Sequence, residues 1–240
     1  MTLNARRWLV LLAAVLGTAV TARLGFWQLD RAAQKNALQA RMEARRAQPA
    51  LTEGELARDA ATAAAQYERR ITLQGRWLSA ATLFLDNRPM NGRAGFVVLT
   101  PLLLSDGTAV VVQRGWQPRN AADRSKVIMP TVAGEQALVQ GHIAAPPSRL
   151  VDFGDAGSGP IRQNVELTAL ARELKLPLRP VSVVQDEDPK PVADGLLRQW
   201  PRPAVDVHKH YGYAFQWFAM ATLIVGLYVW FQLVRAPRAS

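Results

Sequence analysis

Apolar residues gather at the two ends of this chain and alternate with polar ones in between. Trp8 to Ala22 is a run of 15 residues without a charge, and Leu24 to Leu29 lengthens it to 22 with Arg23 inside. Tyr211 to Val234 is 24 residues with no charge, more than the roughly 20 that a helix needs to cross about 30 Å of hydrocarbon. Both runs are predicted to be transmembrane helices, over 8–29 and 211–234. Arg23 lies near the far end of the first span, where a long side chain can reach the headgroups. A cleaved signal peptide is the competing reading of the first run, but the aromatic and apolar pattern continues past any plausible cleavage site.

Between the ends the pattern changes twice. Residues 30–65 read as a helical connector: Asp30 to Ala47 is rich in Ala, Arg and Gln with no Gly or Pro, so the first helix is predicted to run on until Pro49 breaks it. A second short helix is predicted from Thr52, with Glu55 completing a capping box. Residues 66–205 then read as one α+β domain. Strands are predicted at Tyr67–Trp77, Thr82–Asp86, Phe96–Leu104, Thr108–Val112, Gln136–Ile143 and Val181–Val184, from their β-branched and aromatic content. Asp106-Gly107 marks a hairpin, because its residues accept positive φ. Pro101 cannot donate to a ladder, which predicts an edge or a bulge there. Residues 152–160 are a loop by composition, and Asn164 is placed to cap a helix carrying Leu167, Leu170 and Leu174 on one face. Asp186 to Pro203 reads as a surface segment leading back to the membrane. The expected fold class is therefore α+β: N- and C-terminal transmembrane helices flanking a small antiparallel sheet or barrel with short helices.

Charge changes the picture only at the membrane. The formal net charge is +10, yet acids are interspersed and Arg6, Arg7, Arg235 and Arg238 flank the spans. That distribution speaks for anionic lipid and against nucleic acid. It also predicts a hairpin with both tails cytoplasmic and the middle domain outside. Arg31, Lys35, Arg41, Arg45 and Arg46 run against this, but a loop of such length crosses largely regardless of its charge. There is no cysteine, which excludes disulfides, thiolate chemistry and iron–sulfur ligation. The five methionines lie far apart, which disfavours a copper carrier. Neither a nucleophile-and-base motif nor a phosphate loop is present, so the chain reads as a non-enzyme.

Candidate chemistry centres on the head of the last span. Of the three histidines, His210 is the candidate ligand, since neutral imidazole is the commonest protein ligand for haem iron. Helical spacing puts Tyr213, Ala214, Trp217, Ala221, Ile224 and Tyr228 on its face. The two alanines leave room either for a flat macrocycle or for a close neighbouring helix, and the residues alone leave both open. His208 falls on the other side of such a helix and His142 in a strand, so neither ranks as a ligand. Trp27 and Gln28 stand where the first helix leaves the membrane; they either meet His210 or anchor the interface. Arg114 either pairs with a carboxylate of a bound cofactor or forms a structural ion pair.

Four stretches in this order resemble the Surfeit locus protein family, the Surf-one or Shy-one assembly factors of haem-copper cytochrome c oxidase. They are Leu24-Gly25-Phe26-Trp27-Gln28 with Arg31 and Lys35; Asn87-Arg88 with Gly95-Phe96 and Thr100-Pro101; Asp106-Gly107 leading to Val112-Gln113-Arg114-Gly115-Trp116-Gln117-Pro118; and His210-Tyr211-Gly212-Tyr213-Ala214-Phe215-Gln216-Trp217-Phe218. Tyr211 stands where the family often has Leu, and Gln113 where it often has Asn. The resemblance implies a bacterial inner-membrane protein with a periplasmic domain that helps mature oxidase subunit I alongside haem A synthase. It also implies transient binding of haem a through His210, and the residues themselves add Tyr213, Trp217, Trp27, Gln28 and Arg114 as neighbouring candidates. The contrasting expectation is a cofactor-free scaffold for an assembly intermediate.

Overall fold

A computed structural model describes residues 3–123, 125–131, 136–147, 159–187, 194–201 and 206–235. The chain divides into two compact units, Met1–Arg41 with Arg202–Ser240, and Met42–Pro201.

The first unit is a helical pair. Helix α1 covers Leu3–Arg46, 44 residues or about 65 Å at 1.5 Å per residue, without a break at the end of its apolar stretch. Helix α4 covers Val207–Val229 and passes into a π-helical turn over Trp230–Val234. Both are long and apolar enough to cross a membrane. Their contact face repeats small residues. Ala214 and Ala221 of α4 are buried, and a Cβ on Gly25 of α1 would stand 2.7 Å from the Phe218 ring. Phe26 meets the same ring edge-on, with centroids 5.2 Å apart. The helices therefore pack by close approach, as expected where lipid removes the hydrophobic drive between them.

The second unit is a rolled sheet. After a single 3₁₀ turn at Glu53–Glu55 and helix α2 (Ala60–Gln66) come β1 (Arg70–Trp77), β2 (Leu83–Leu85), β3 (Gly95–Leu103), β4 (Ala109–Pro118), β5 (Gln136–Ala144), β6 (Ile161–Arg162), α3 (Leu167–Leu174) and β7 (Leu178–Gln185). The strand order is β1-β5-β7-β4-β3-β2-β6, and β1 also pairs with β3. That extra pairing closes β1, β5, β7, β4 and β3 into a ring, leaving β2 and β6 as an extension beyond β3. Inside the ring pack Leu73, Leu102, Val110, Val112, Val139, Ile143, Val181 and Val183, with Leu56, Ala57 and Ala63 in the same cluster. On the outer face Val111 and Leu99 meet Leu167 and Leu170 of α3. β4 is thus apolar on both faces, which is why its sequence reads as a continuous run rather than an alternation.

The α+β class with two flanking apolar helices is what the sequence predicts, and the Asp106-Gly107 hairpin is present, with φ +79° at Gly107 and the Asp106 carboxylate accepting from the Thr108 amide at 3.0 Å. Several details differ. The sheet is mixed rather than antiparallel, since β4–β7 and β2–β6 run parallel; α3 carries the chain back so that β7 enters alongside β4. The helix predicted at Thr52 is only that 3₁₀ turn. Its Glu55 carboxylate does reach back to the Thr52 amide at 2.8 Å. Helix α3 begins after Glu166 rather than at an Asn164 cap. Pro101 lies neither at an edge nor in a bulge. It pairs with Val111, and on its other side β3 changes partner from β2, up to Leu99, to β1, from Leu102. Its missing donor falls in that gap. The segment from 194 to 200 is not a surface lead: Trp116 and Leu197 exchange backbone bonds of 2.7 and 2.8 Å, and Asp194 and Arg198 are buried. Most of the predicted loop at 152–160 lies outside the described residues.

Candidate functional site

The first turn of α4 sets His210 against α1. Asp206 precedes the helix in a left-handed conformation, φ 74°, and its carboxylate takes the Lys209 ammonium at 2.9 Å. That hydrogen bond, with a smaller pull from Lys35, holds the Asp206 carboxyl below the usual carboxylate range. One turn on, Nδ1 of His210 lies 2.7 Å from Oε1 of Gln28. An amide oxygen only accepts, so Nδ1 carries the proton and a neutral ring keeps its lone pair on Nε2. Among the described residues Nε2 has no hydrogen-bond partner. Gln28 itself is buried and His210 half-buried. Nearby, Asn36 donates to the Tyr211 hydroxyl at 3.3 Å.

The structure brings His210 and Gln28 together and leaves the other candidates apart from that bond. Trp27 is exposed, with the Arg31 guanidinium 5.7 Å from its ring centroid. Tyr213 is exposed and Trp217 half-buried. Ala214 and Ala221 are buried. His208 is exposed. His142 has both ring nitrogens engaged, Nδ1 with Asp186 at 2.9 Å and Nε2 with Arg46 at 3.0 Å; Arg46 in turn holds Glu68 at 2.7 Å.

Arg114 belongs to the sheet unit. It is buried with its guanidinium 4.6 Å from the Trp77 ring centroid, and it donates to the Thr131 carbonyl at 3.2 Å and to Asp194 at 3.5 Å. Sequence reasoning missed Asp194, Arg198 and Trp77 as its companions. Nothing local marks them, because they come from a Pro- and Gly-rich stretch and from the end of a strand. The contact with Asp194 gives it an ion-pair partner within the domain.

A family model described as the SURF1 family matches residues 15–222. A "SURF1-like protein" of Rickettsia felis is 24% identical over 225 residues, covering 91% of this chain and 94% of that protein. A "SURF1-like protein" of Dictyostelium discoideum is 35% identical over 63 residues, 26% of this chain and 23% of that protein.

Proposed function

The chain belongs to the SURF1 family, and from that premise we propose that it is a membrane-bound assembly factor for haem-copper cytochrome c oxidase that holds haem a through Nε2 of His210 and aids its insertion into subunit I. The carrying observation is the 2.7 Å bond between Gln28 and His210. A ligating histidine works best when its other nitrogen is committed to a fixed acceptor, which sets the tautomer and raises the basicity of the donor atom. Haem a, when bound, would supply an iron able to accept one imidazole nitrogen, and His210 is the residue that would hold it. The chain's own part is to present one oriented, neutral imidazole at the lipid boundary. A single ligand suits a carrier that must give up its cargo when a client offers more histidines. In this reading the protein catalyses no reaction. The arginines flanking both spans favour cytoplasmic termini and a periplasmic domain in the bacterial inner membrane, with subunit I, haem A synthase and lipid as partners.

The scaffold reading draws on a different observation. A Cβ on Gly25 would meet the Phe218 ring and Ala214 and Ala221 are buried, which supports a helix pair held by close packing. Coexpression with haem A synthase, followed by the visible spectrum of the detergent-purified protein, separates the two. Wild type should carry a haem a spectrum and His210→Ala should lose it together with oxidase assembly. A colourless wild type with full assembly by His210→Ala leaves the scaffold standing.

A further inference from the structure

Arg114 occupies an irregular point in β4. Val98 pairs with Gly115 and Leu99 with Gln113, so Arg114 is the extra residue of a β-bulge, a device that re-aims a side chain out of the strand's alternation. Here it delivers a guanidinium to a site with 4% of the side chain exposed, beside Asp194 at 1%. Arg198, 6% exposed, bonds the same carboxylate, whose Oδ1 also takes the Leu196 amide at 3.1 Å. One buried carboxylate therefore serves two buried guanidiniums, and among the described residues the cluster holds one surplus positive charge.

Its donors are also in excess. A guanidinium has five N–H groups. Among the described residues Arg114 uses Nη2 alone, at 3.2 and 3.5 Å, while Nε and Nη1 are buried with no partner there, as is Nε of Arg198. Burial pulls the Arg114 pKa below the ordinary arginine value; the Asp194 charge opposes this and the Arg198 charge adds to it. Buried polar groups are ordinarily bonded, and an orphan calls for a missing water or ion. Water would satisfy the donors but not the charge.

We propose that Arg114, Arg198 and Asp194 form a binding site for one carboxylate group. The surplus is a single positive charge, which a monoanion neutralises and a phosphate dianion overshoots. Planar carboxylates match guanidinium donors, and the Trp77 ring stacks over Arg114 at 4.6 Å. The group can belong to a free small acid or to the C-terminus of a peptide.

The test uses the full chain in detergent, titrated with sodium propionate at constant ionic strength against chloride. Thermal midpoint and tryptophan fluorescence are followed, and Trp77→Phe identifies the reporting ring. A saturable rise in midpoint and a Trp77-dependent fluorescence change are expected with propionate, with phosphate at least about tenfold weaker. Arg114→Lys, which keeps the charge but loses the planar donors, should weaken propionate about tenfold or more. Should that variant not fold, Asp194→Asn serves: it adds to the surplus charge and should tighten propionate. Trialanine with a free C-terminus, set against its C-terminal amide, assigns the source: binding of the free form alone points to a peptide end, binding of neither to a small acid. A response shared by chloride, or unchanged in the arginine and aspartate variants, means an adventitious ion only. That outcome, or no saturable response at all, overturns the site without touching the proposal for His210.

Discussion

Two carboxylates in the sheet unit are each shared by two arginines, and they come out differently. At the β3–β4 hairpin, Asp106 takes Arg179 at 2.6 Å and Arg58 at 3.0 Å. Arg179 is buried, yet each of its nitrogens has an acceptor: Nε the Thr108 hydroxyl at 2.9 Å, Nη1 the Leu56 carbonyl at 2.8 Å and Nη2 the Asp106 carboxylate. The second arginine there, Arg58, is 65% exposed and water solvates its charge. At Asp194 both arginines are buried and, among the described residues, donors remain unmet. The first cluster reads as a fastening that locks α2's approach and the hairpin to β7. The second has unfilled valence, which fastening does not require. The two histidines divide the same way, with both nitrogens of His142 engaged and one nitrogen of His210 left open. Function is better sought where a buried polar group is incompletely satisfied than where it is merely buried.

That contrast can be broken by substitution. Arg179→Met should cost roughly 3 kcal/mol in denaturant unfolding, since it strands the Leu56 carbonyl and removes a charged bond to Asp106. Arg114→Met should stay within about 1 kcal/mol of wild type or exceed it, because it replaces a poorly satisfied buried charge with an apolar stem and leaves Asp194 paired to Arg198. Equal losses in the two variants would erase the distinction. Acid sharpens it next. Thr108 bonds first, then Arg179 and Arg58, hold the Asp106 carboxyl below its usual range despite the opposing effect of burial. The resulting stability is present above the unfolded carboxyl pKa of about 4 and is lost as pH falls through the lower folded value. Asp106→Asn should therefore flatten the acid limb of a stability–pH curve below about pH 4. The smallest effect is at Gln28. Gln28→Ala should leave stability nearly unchanged while the ¹⁵N shifts of His210 move from a single Nδ1–H tautomer towards a mixture, a readout that needs no cofactor. A wild-type ring already protonated on Nε2 would remove the basis for its role as donor.

Much of this was legible in the residues. Charge-free runs gave both long helices, Asp106-Gly107 gave its hairpin, and Leu167, Leu170 and Leu174 gave the amphipathic face of α3. Those are local patterns, and local chemistry decides them. The bulge at Arg114 was not legible, because it exists only as a mismatch between two strands. Nor was the docking of 194–200 on Trp116, since prolines and glycines announce a break in regular structure without saying where the chain goes next. His210 and Gln28 were each singled out, but their bond joins positions 182 apart and had to come from the structure. Ala214 and Ala221 show the opposite failure. Small residues fit two uses equally well, and that both are buried had to come from the structure.

Pro101 carries a consequence for how this domain tolerates change. On one side β3 answers to two neighbours in succession, and a free amide at the changeover would let either claim another rung. The pyrrolidine ring removes the contested donor, so β1 cannot extend at β2's expense, nor β2 at β1's. The β2–β6 flap is in that sense a tenant with a fixed boundary: lengthening or shortening it should leave the closed ring undisturbed, whereas replacing Pro101 by a residue with an N–H should let the boundary drift.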